Sequence, residues 1–183
     1  MSILTKENYK DIHYCIRCGT GLELHEDHEG KLRPKCPACG WIFYKNPVPA
    51  VAVVVFNEKN ELLIIKRNNE PKMGTWSLPS GYMEIYQTPE DTAVDEMEEE
   101  TGLIGEVNHF IGYYSGHSVF YEQVLSLGFN MRVTGGVLAA GDDAAEACYV
   151  PLDKLPPIAF AAHRYFIQKE MQRLNSEYPI EKA

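Results

Sequence analysis

Apolar side chains fall along this chain in short, dense runs. Residues 50–56, AVAVVVF, are apolar throughout, and residues 61–67, ELLIIKR, follow a polar Asn57-Glu58-Lys59-Asn60 turn. Runs of this length, rich in Val and Ile and bounded by turn residues, predict two strands with little exposure on either face. Residues 75–84, TWSLPSGYME, read as extended but broken by Pro79 and Gly81. The periodicity then changes. Thr88 suits an N-cap, Pro89 the first helical position, and Asp91 completes a capping box. Ala93, Val94, Met97 and Thr101 recur on one face, and Gly102 is a natural helix terminator. A helix is predicted over about 89–101. Strand-like segments follow near 103–113, 119–134 and 146–150, and Asp153-Lys154-Leu155-Pro156-Pro157 is a break. An amphipathic helix is predicted over about 158–175, offering Ile158, Ala162, Tyr165, Phe166, Ile167 and Met171 for burial.

The N-terminal quarter is patterned differently. Residues 1–12 read as a polar lead-in. Between two cysteine pairs lies GLELHEDHEGKLRPK, two short strands around an Asp-His-Glu-Gly turn. Asn46-Pro47-Val48-Pro49 is a stiff junction. The chain therefore divides into a small module, 1–45, and a larger domain, 46–183.

Composition narrows the class. Apolar residues make up 45% of the 183, enough for a core. No run of about 18 apolar residues would span a membrane, and MSILTKENYKDIHYC has no signal-peptide core, so a cytoplasmic location is the default expectation. Net charge is −9, unevenly spread: residues 1–45 carry seven Lys/Arg and six Asp/Glu, and the remainder ten and twenty. Nucleic-acid binding draws its affinity from a basic face, which this chain lacks. An acidic body acts on phosphates when metal ions bridge the two.

Cys15-Ile-Arg-Cys18-Gly and Cys36-Pro-Ala-Cys39-Gly lie 17 residues apart. In a cytosolic chain this spacing reads as a closed, structural four-thiolate zinc site, with two redox pairs as the alternative. A module this small needs the metal in place of a core. Cys148 stands alone and reads as a small core residue.

The predicted helix carries Asp95-Glu96-Met97-Glu98-Glu99-Glu100, five acids in six residues. At about 100° per residue, Glu96, Glu99 and Glu100 share one arc, bordering the apolar face, and Glu98 points away. Like charges at i and i+4 destabilise a helix, and acids in its last turn oppose its dipole. A divalent cation reverses both penalties, and clustered oxygens favour Mg²⁺ or Mn²⁺. A solvated acidic face is the plainer reading.

Gly81-x5-Gln87-x7-Asp95-Glu96-Met97-x-Glu99-Glu100-x-Gly102-Leu103 resembles the Nudix box, G-x5-E-x7-R-E-U-x-E-E-x-G-U, where U is a bulky aliphatic residue. The flanking IIKR at 64–67, GTWSLPSG at 74–81 and the segment 146–156 resemble the same family, over about residues 48–175. With the cysteine module in front, the chain is similar to zinc-ribbon Nudix proteins of the NADH pyrophosphatase kind. The resemblance implies an α/β fold, an α/β/α sandwich around a mixed sheet, preceded by the zinc ribbon. It implies that Glu96, Glu99 and Glu100 bind catalytic Mg²⁺ or Mn²⁺, that the Gly81 region adds a backbone contact, and that a diphosphate is hydrolysed. Arg67 is then a pyrophosphate contact, or else a surface cation at a strand end. Trp76 reads as core before base-stacking platform. Two positions depart from the box: Gln87 stands for its first Glu and Asp95 for its Arg. The Ser-Gln-Pro-Trp-Pro-Phe-like segment that would mark an NADH pyrophosphatase is also missing, with GYYSGHSVFYEQ at 112–123 in its place.

The leading expectation is thus a metal-dependent hydrolase of a nucleoside diphosphate linked to another moiety, such as a dinucleotide cofactor or nucleotide sugar. The alternatives are a catalytically weakened Nudix-like module that senses a nucleotide, motivated by Gln87 and Asp95, and a zinc-ribbon adaptor for nucleic acid or protein, favoured only by Arg17, Lys31, Arg33 and Lys35. The general base is open among Glu99, Glu100, His117, Glu122, Asp142, Asp143 and Glu146. The resemblance also admits a homodimer, since many members of the family pair.

Overall fold

The computed structural model describes residues 9–177, so most of the polar lead-in expected over 1–12 lies outside the described residues. The chain divides into two units, Met1–Asn46 and Pro47–Ala183.

In the first unit, β1 (Glu23–Glu26) pairs antiparallel with β2 (Leu32–Lys35), Glu23 opposite Lys35 and Glu26 opposite Leu32. Asp27 explains the turn. Its Oδ1 accepts from the amides of Glu29 and Lys31 at 2.9 Å, and its Oδ2 accepts from Arg33 Nε at 3.1 Å. Gly30 supplies the left-handed backbone that closes the turn, at φ 75°. The edge-on Tyr9–Phe43 pair and the tilted Trp41–Phe43 pair form a small aromatic cluster.

The second unit runs β3 (Val48–Val55), β4 (Glu61–Arg67), β5 (Trp76–Ser77), β6 (Ser80–Tyr82), α1 (Pro89–Thr101), β7 (Leu103–Ser118), β8 (Glu122–Gly136), β9 (Ala144–Pro151) and α2 (Ala161–Glu177). One sheet has the order β6-β3-β8-β7, the other β5-β4-β9. The β3–β8 pairing is parallel and the rest are antiparallel. Alternate residues of β3 serve two cores. Val51, Val53 and Val55 pack with Ala93 and Met97 of α1; Ala52 and Val54 pack with Ala162, Phe166 and Ile167 of α2. That division makes an α/β/α sandwich, and it explains why residues 51–55 are apolar without alternation.

Four boundaries differ from the sequence expectation. The strand β3 begins inside the proline junction, at Val48: pairing with β6 starts only at Ala50, so Pro49 is asked for no amide there. The strand β7 continues past its expected end near residue 113 to Ser118, because β8 pairs with it through Ser118↔Glu122. Residues 119–121, expected to start the next strand, form the exposed hairpin tip. The last helix begins at Ala161: Ile158 is buried as expected, but in an extended segment bridged to Trp76, where the Ala159 amide donates to Trp76 O at 2.8 Å. Trp76 and Cys148 both pack, half-buried, against the second core.

The sandwich leaves no space at Gly128 of β8, where an added Cβ would stand 2.5 Å from Phe166 Cδ1 of α2. Gly128→Ala should therefore cost about 1–3 kcal/mol by overpacking, read as a lower urea midpoint at unchanged slope. An unchanged midpoint would contradict this contact.

Candidate functional site

The capping predicted for α1 is present. Thr88 Oγ1 accepts from the Asp91 amide, the Asp91 carboxylate accepts from the Thr88 amide, and Gly102 closes the helix at φ 67°. This fixed start and stop set which acids face inward. Thr92, Ala93, Met97, Glu100 and Thr101 are buried.

Glu100 lies deeper than the sequence placed it, with 3% exposure, and its Oε2 accepts from the Ser80 amide at 2.8 Å. Glu96 is half-buried against β6. A Cβ on Gly81 would stand 1.7 Å from Glu96 Oε1, so only glycine admits the carboxylate there. Glu99 is exposed. All three glutamates line one cavity of about 720 Å³, together with Gly81, Arg67, Asp142 and Asp143. Their carboxylates do not close on one another: among the described residues, the four cysteines are the only group of three or more ligands within 4.8 Å.

Burial pushes the Glu100 carboxyl up to about 8; the charges of Glu96 and Asp143 add to this, and the Ser80 amide and Arg67 oppose it. Burial also lifts Glu96 to about 7, with Glu99, Asp142, Asp143 and Asp95 contributing repulsion. The helix has no basic residue in its last turn. The donor set is hard oxygen on mutually repelling acids, which fits a divalent cation such as Mg²⁺ or Mn²⁺.

Arg67 is no surface cation: it is 9% exposed, and its Nε and Nη2 donate to Pro71 O at 2.9 Å and Asn69 Oδ1 at 2.7 Å. Asn69 Nδ2 donates in turn to Asp143. Gln87 and Asp95, the two positions where the sequence was expected to depart from the box, meet each other. Gln87 Nε2 donates to Asp95 Oδ2 at 2.8 Å, and Gln87 Oε1 accepts from the Glu84 amide at 2.9 Å and from Thr92 Oγ1 at 3.1 Å. Of the candidate bases, Asp142, Asp143 and His117 line the cavity with the glutamates. Glu146 instead pairs with Lys66 at 2.7 Å, and neither it nor Glu122 reaches the lining. Sequence reading missed Lys72, Phe160, His163 and Arg164, which form part of the cavity wall. They come from a loop and the first turn of α2, and no local spacing marks them.

In the N-terminal unit the cysteine knuckles are built alike. The Gly19 amide donates to Cys15 O at 2.8 Å and the Gly40 amide to Cys36 O at 3.0 Å, with both glycines left-handed. Sulfur separations are 3.6 Å for Cys15–Cys39, 3.5 Å for Cys18–Cys36 and 3.7 Å for Cys18–Cys39. Four sulfurs about 2.3 Å from one tetrahedral ion stand about 3.8 Å apart, so the donor set fits zinc. The four thiols divide their protons unequally: the Thr20 hydroxyl and amide pull Cys18 down to about 6, whereas Cys39, against an opposing hydrogen bond from the Trp41 backbone, is pushed up to about 11 by burial and the other three cysteines.

Residues 46–169 match the NUDIX domain family. An ADP-ribose pyrophosphatase of Methanocaldococcus jannaschii is 43% identical over 135 residues, 69% of this chain and 76% of that protein. An NAD-capped RNA hydrolase, NudC, of Pseudomonas aeruginosa is 29% identical over 146 residues, 79% of this chain but 50% of its own length. The chain thus spans about half of that relative. Among solved structures, a NUDIX hydrolase from Nitrosomonas europaea superposes with a TM-score of 0.72 at 26% identity, covering 87% of this chain and 93% of that one.

Glu96 and Glu100 hold protons more tightly folded than unfolded, so their contribution to stability is complete below about pH 4.5 and is lost as pH rises through about 7 to 8. In chelator, the melting temperature should fall across that window, and Glu100→Gln should flatten the fall. Identical profiles for the two proteins would show that Glu100 is not held protonated by burial.

Proposed function

This chain belongs to the Nudix family of pyrophosphohydrolases, and from that premise we propose that it hydrolyses a nucleoside diphosphate linked to a sugar or second nucleoside, ADP-ribose being the first compound to test. The observation that carries this reading is the single cavity that sets Glu96, Glu99 and Glu100 on one side and the anchored guanidinium of Arg67 on another. The compound named follows the 43% identical relative, itself an ADP-ribose pyrophosphatase.

In this reading Glu96, Glu99 and Glu100 hold Mg²⁺ or Mn²⁺, with the backbone at Gly81 alongside. The bound cation supplies neutralisation of the diphosphate and the Lewis acidity that activates water. The Ser80 amide fixes the Glu100 carboxylate, and Gly81 leaves Glu96 room to reach the same cavity. Arg67 is held by its own loop through two hydrogen bonds and meets the diphosphate with its remaining donors. Water adds at one phosphorus, the bridging oxygen leaves with the other, and the products are a nucleoside monophosphate and a second phosphomonoester. Cys15, Cys18, Cys36 and Cys39 hold a structural zinc in the ribbon of residues 1–45, and residues 46–183 form the hydrolase domain.

Gln87 and Asp95 favour a second reading, a module that binds the nucleotide without efficient turnover. Their mutual hydrogen bond counts against it, because the pair still ties the loop before α1 to the helix. A sensor would be stabilised by ADP-ribose without consuming it, and would gain hydrolysis when Gln87→Glu and Asp95→Arg are introduced together.

The hydrolase reading predicts AMP release from ADP-ribose that needs Mg²⁺ or Mn²⁺, stops in chelator, and falls about 100-fold or more in Glu100→Gln. Turnover that survives both treatments would remove it. Elemental analysis should find about one zinc per chain, lost when Cys15 and Cys36 are both changed to Ser; a zinc-free native protein would overturn the ribbon assignment.

A further inference from the structure

The cavity has a second charged wall that the metal site does not use. Arg67, Lys72 and Arg164 come together around residues 158–160 at the start of α2. Arg67 Cζ lies 5.3 Å and Lys72 Nζ 5.1 Å from the centre of the Phe160 ring. Lys72 Nζ donates to Ala159 O at 2.6 Å, and Arg164 Nη1 donates to Ile158 O at 2.6 Å and to Ala159 O at 3.3 Å. Lys72 and Arg164 thus share one carbonyl, and Arg67 and Lys72 share one ring. Among the described residues, none of the three forms an ion pair with a carboxylate. Each is anchored by some of its donors and keeps others, since guanidinium carries five and ammonium three.

Two further observations point the same way. Lys72 has a left-handed backbone, φ 66°, where glycine or asparagine is the comfortable residue. That backbone turns the loop where the Lys72 side chain reaches Ala159 O and the face of the Phe160 ring. His163, 6% exposed, accepts the Leu78 amide at Nδ1 (3.1 Å), so its ring proton sits on Nε2. Burial and the three neighbouring cations hold that ring neutral, its pKa pulled down to about 3. It cannot relieve the crowding of positive charge by changing its own, because neutral is already the favourable form.

We propose that Arg67, Lys72 and Arg164, gathered around Phe160 beside neutral His163, form a phosphate subsite that works without divalent metal. Its ligand is a phosphomonoester dianion or inorganic phosphate, held by direct charge-assisted hydrogen bonds. The two walls then treat the halves of a diphosphate differently. The phosphoryl group facing the glutamates needs a cation between, and the one facing this wall does not. That this phosphate is a product of the reaction rests on the hydrolase reading; the subsite itself does not.

The test is calorimetric titration of the whole protein with inorganic phosphate in chelator, with chloride holding ionic strength constant. Saturable binding is expected, weakened about ten-fold or more in Lys72→Gly and in Arg164→Gln. Glycine at position 72 also relaxes the left-handed backbone, so a melting temperature near wild type separates lost binding from lost fold. No saturable binding by the native protein, or unchanged affinity in either variant, overturns the subsite. Hydrolysis of ADP-ribose with Mg²⁺ is measured in parallel: absent turnover with phosphate binding intact would sink the hydrolase reading and support the subsite.

Discussion

The Glu100 carboxylate, almost fully buried yet bonded to the Ser80 amide, is the constraint around which the second unit is arranged. A buried acid is costly unless it is paired or neutralised. Here one backbone amide partners it, Arg67 lies near enough to oppose its raised pKa, and a metal ion is the natural third partner. The hydrogen bond ties α1 to the short strand β6. Gly81, next in the chain, draws the helix close enough for Glu96 to occupy the volume of an absent Cβ. Moving the helix outward would relieve the acids, but it would expose Ala93 and Met97, which complete the first core. Apolar packing therefore holds the acids where their mutual repulsion alone would not let them stay.

Around that point the cavity is organised by opposites. Its acidic side comes from α1 and from Asp142 and Asp143 ahead of β9; its basic side comes from Arg67, Lys72 and the first turn of α2. Asn69 joins the two, accepting from Arg67 and donating to Asp143. The two sides touch without cancelling: Arg67 opposes the raised pKa of Glu100, but burial and the neighbouring acids outweigh it.

The Gln87–Asp95 bond bears on how these two residues compare with the Glu and Arg of the box that the sequence resembles. Taken one at a time, each is a loss: an acid becomes neutral, and a cation becomes an anion that repels Glu96. Taken together, an amide donor faces a carboxylate acceptor, and the link between loop and helix persists with neutral–anion chemistry. Spacing along a sequence shows the two changes; only their contact shows that they belong together.

Local chemistry fixed much of this protein in advance. Thr88, Pro89, Asp91 and Gly102 set the ends of α1 to the residue, since caps act within a few positions of themselves. The two Cys-x-x-Cys-Gly knuckles specified their four-sulfur cluster for the same reason, and the valine run specified a central strand. The end of β7 and the start of β8 depended on their pairing with each other, Ser118 opposite Glu122 across the hairpin, and the start of α2 depended on a distant segment, Ile158 being bridged to Trp76. The site divides along the same line. Three glutamates on one helical arc are legible from a 3.6-residue period. The depth of Glu100, the anchoring of Arg67 and the basic wall at Phe160 are not, because each is set by side chains brought together from separate elements, and only closing the sheets into a sandwich gives them a common cavity.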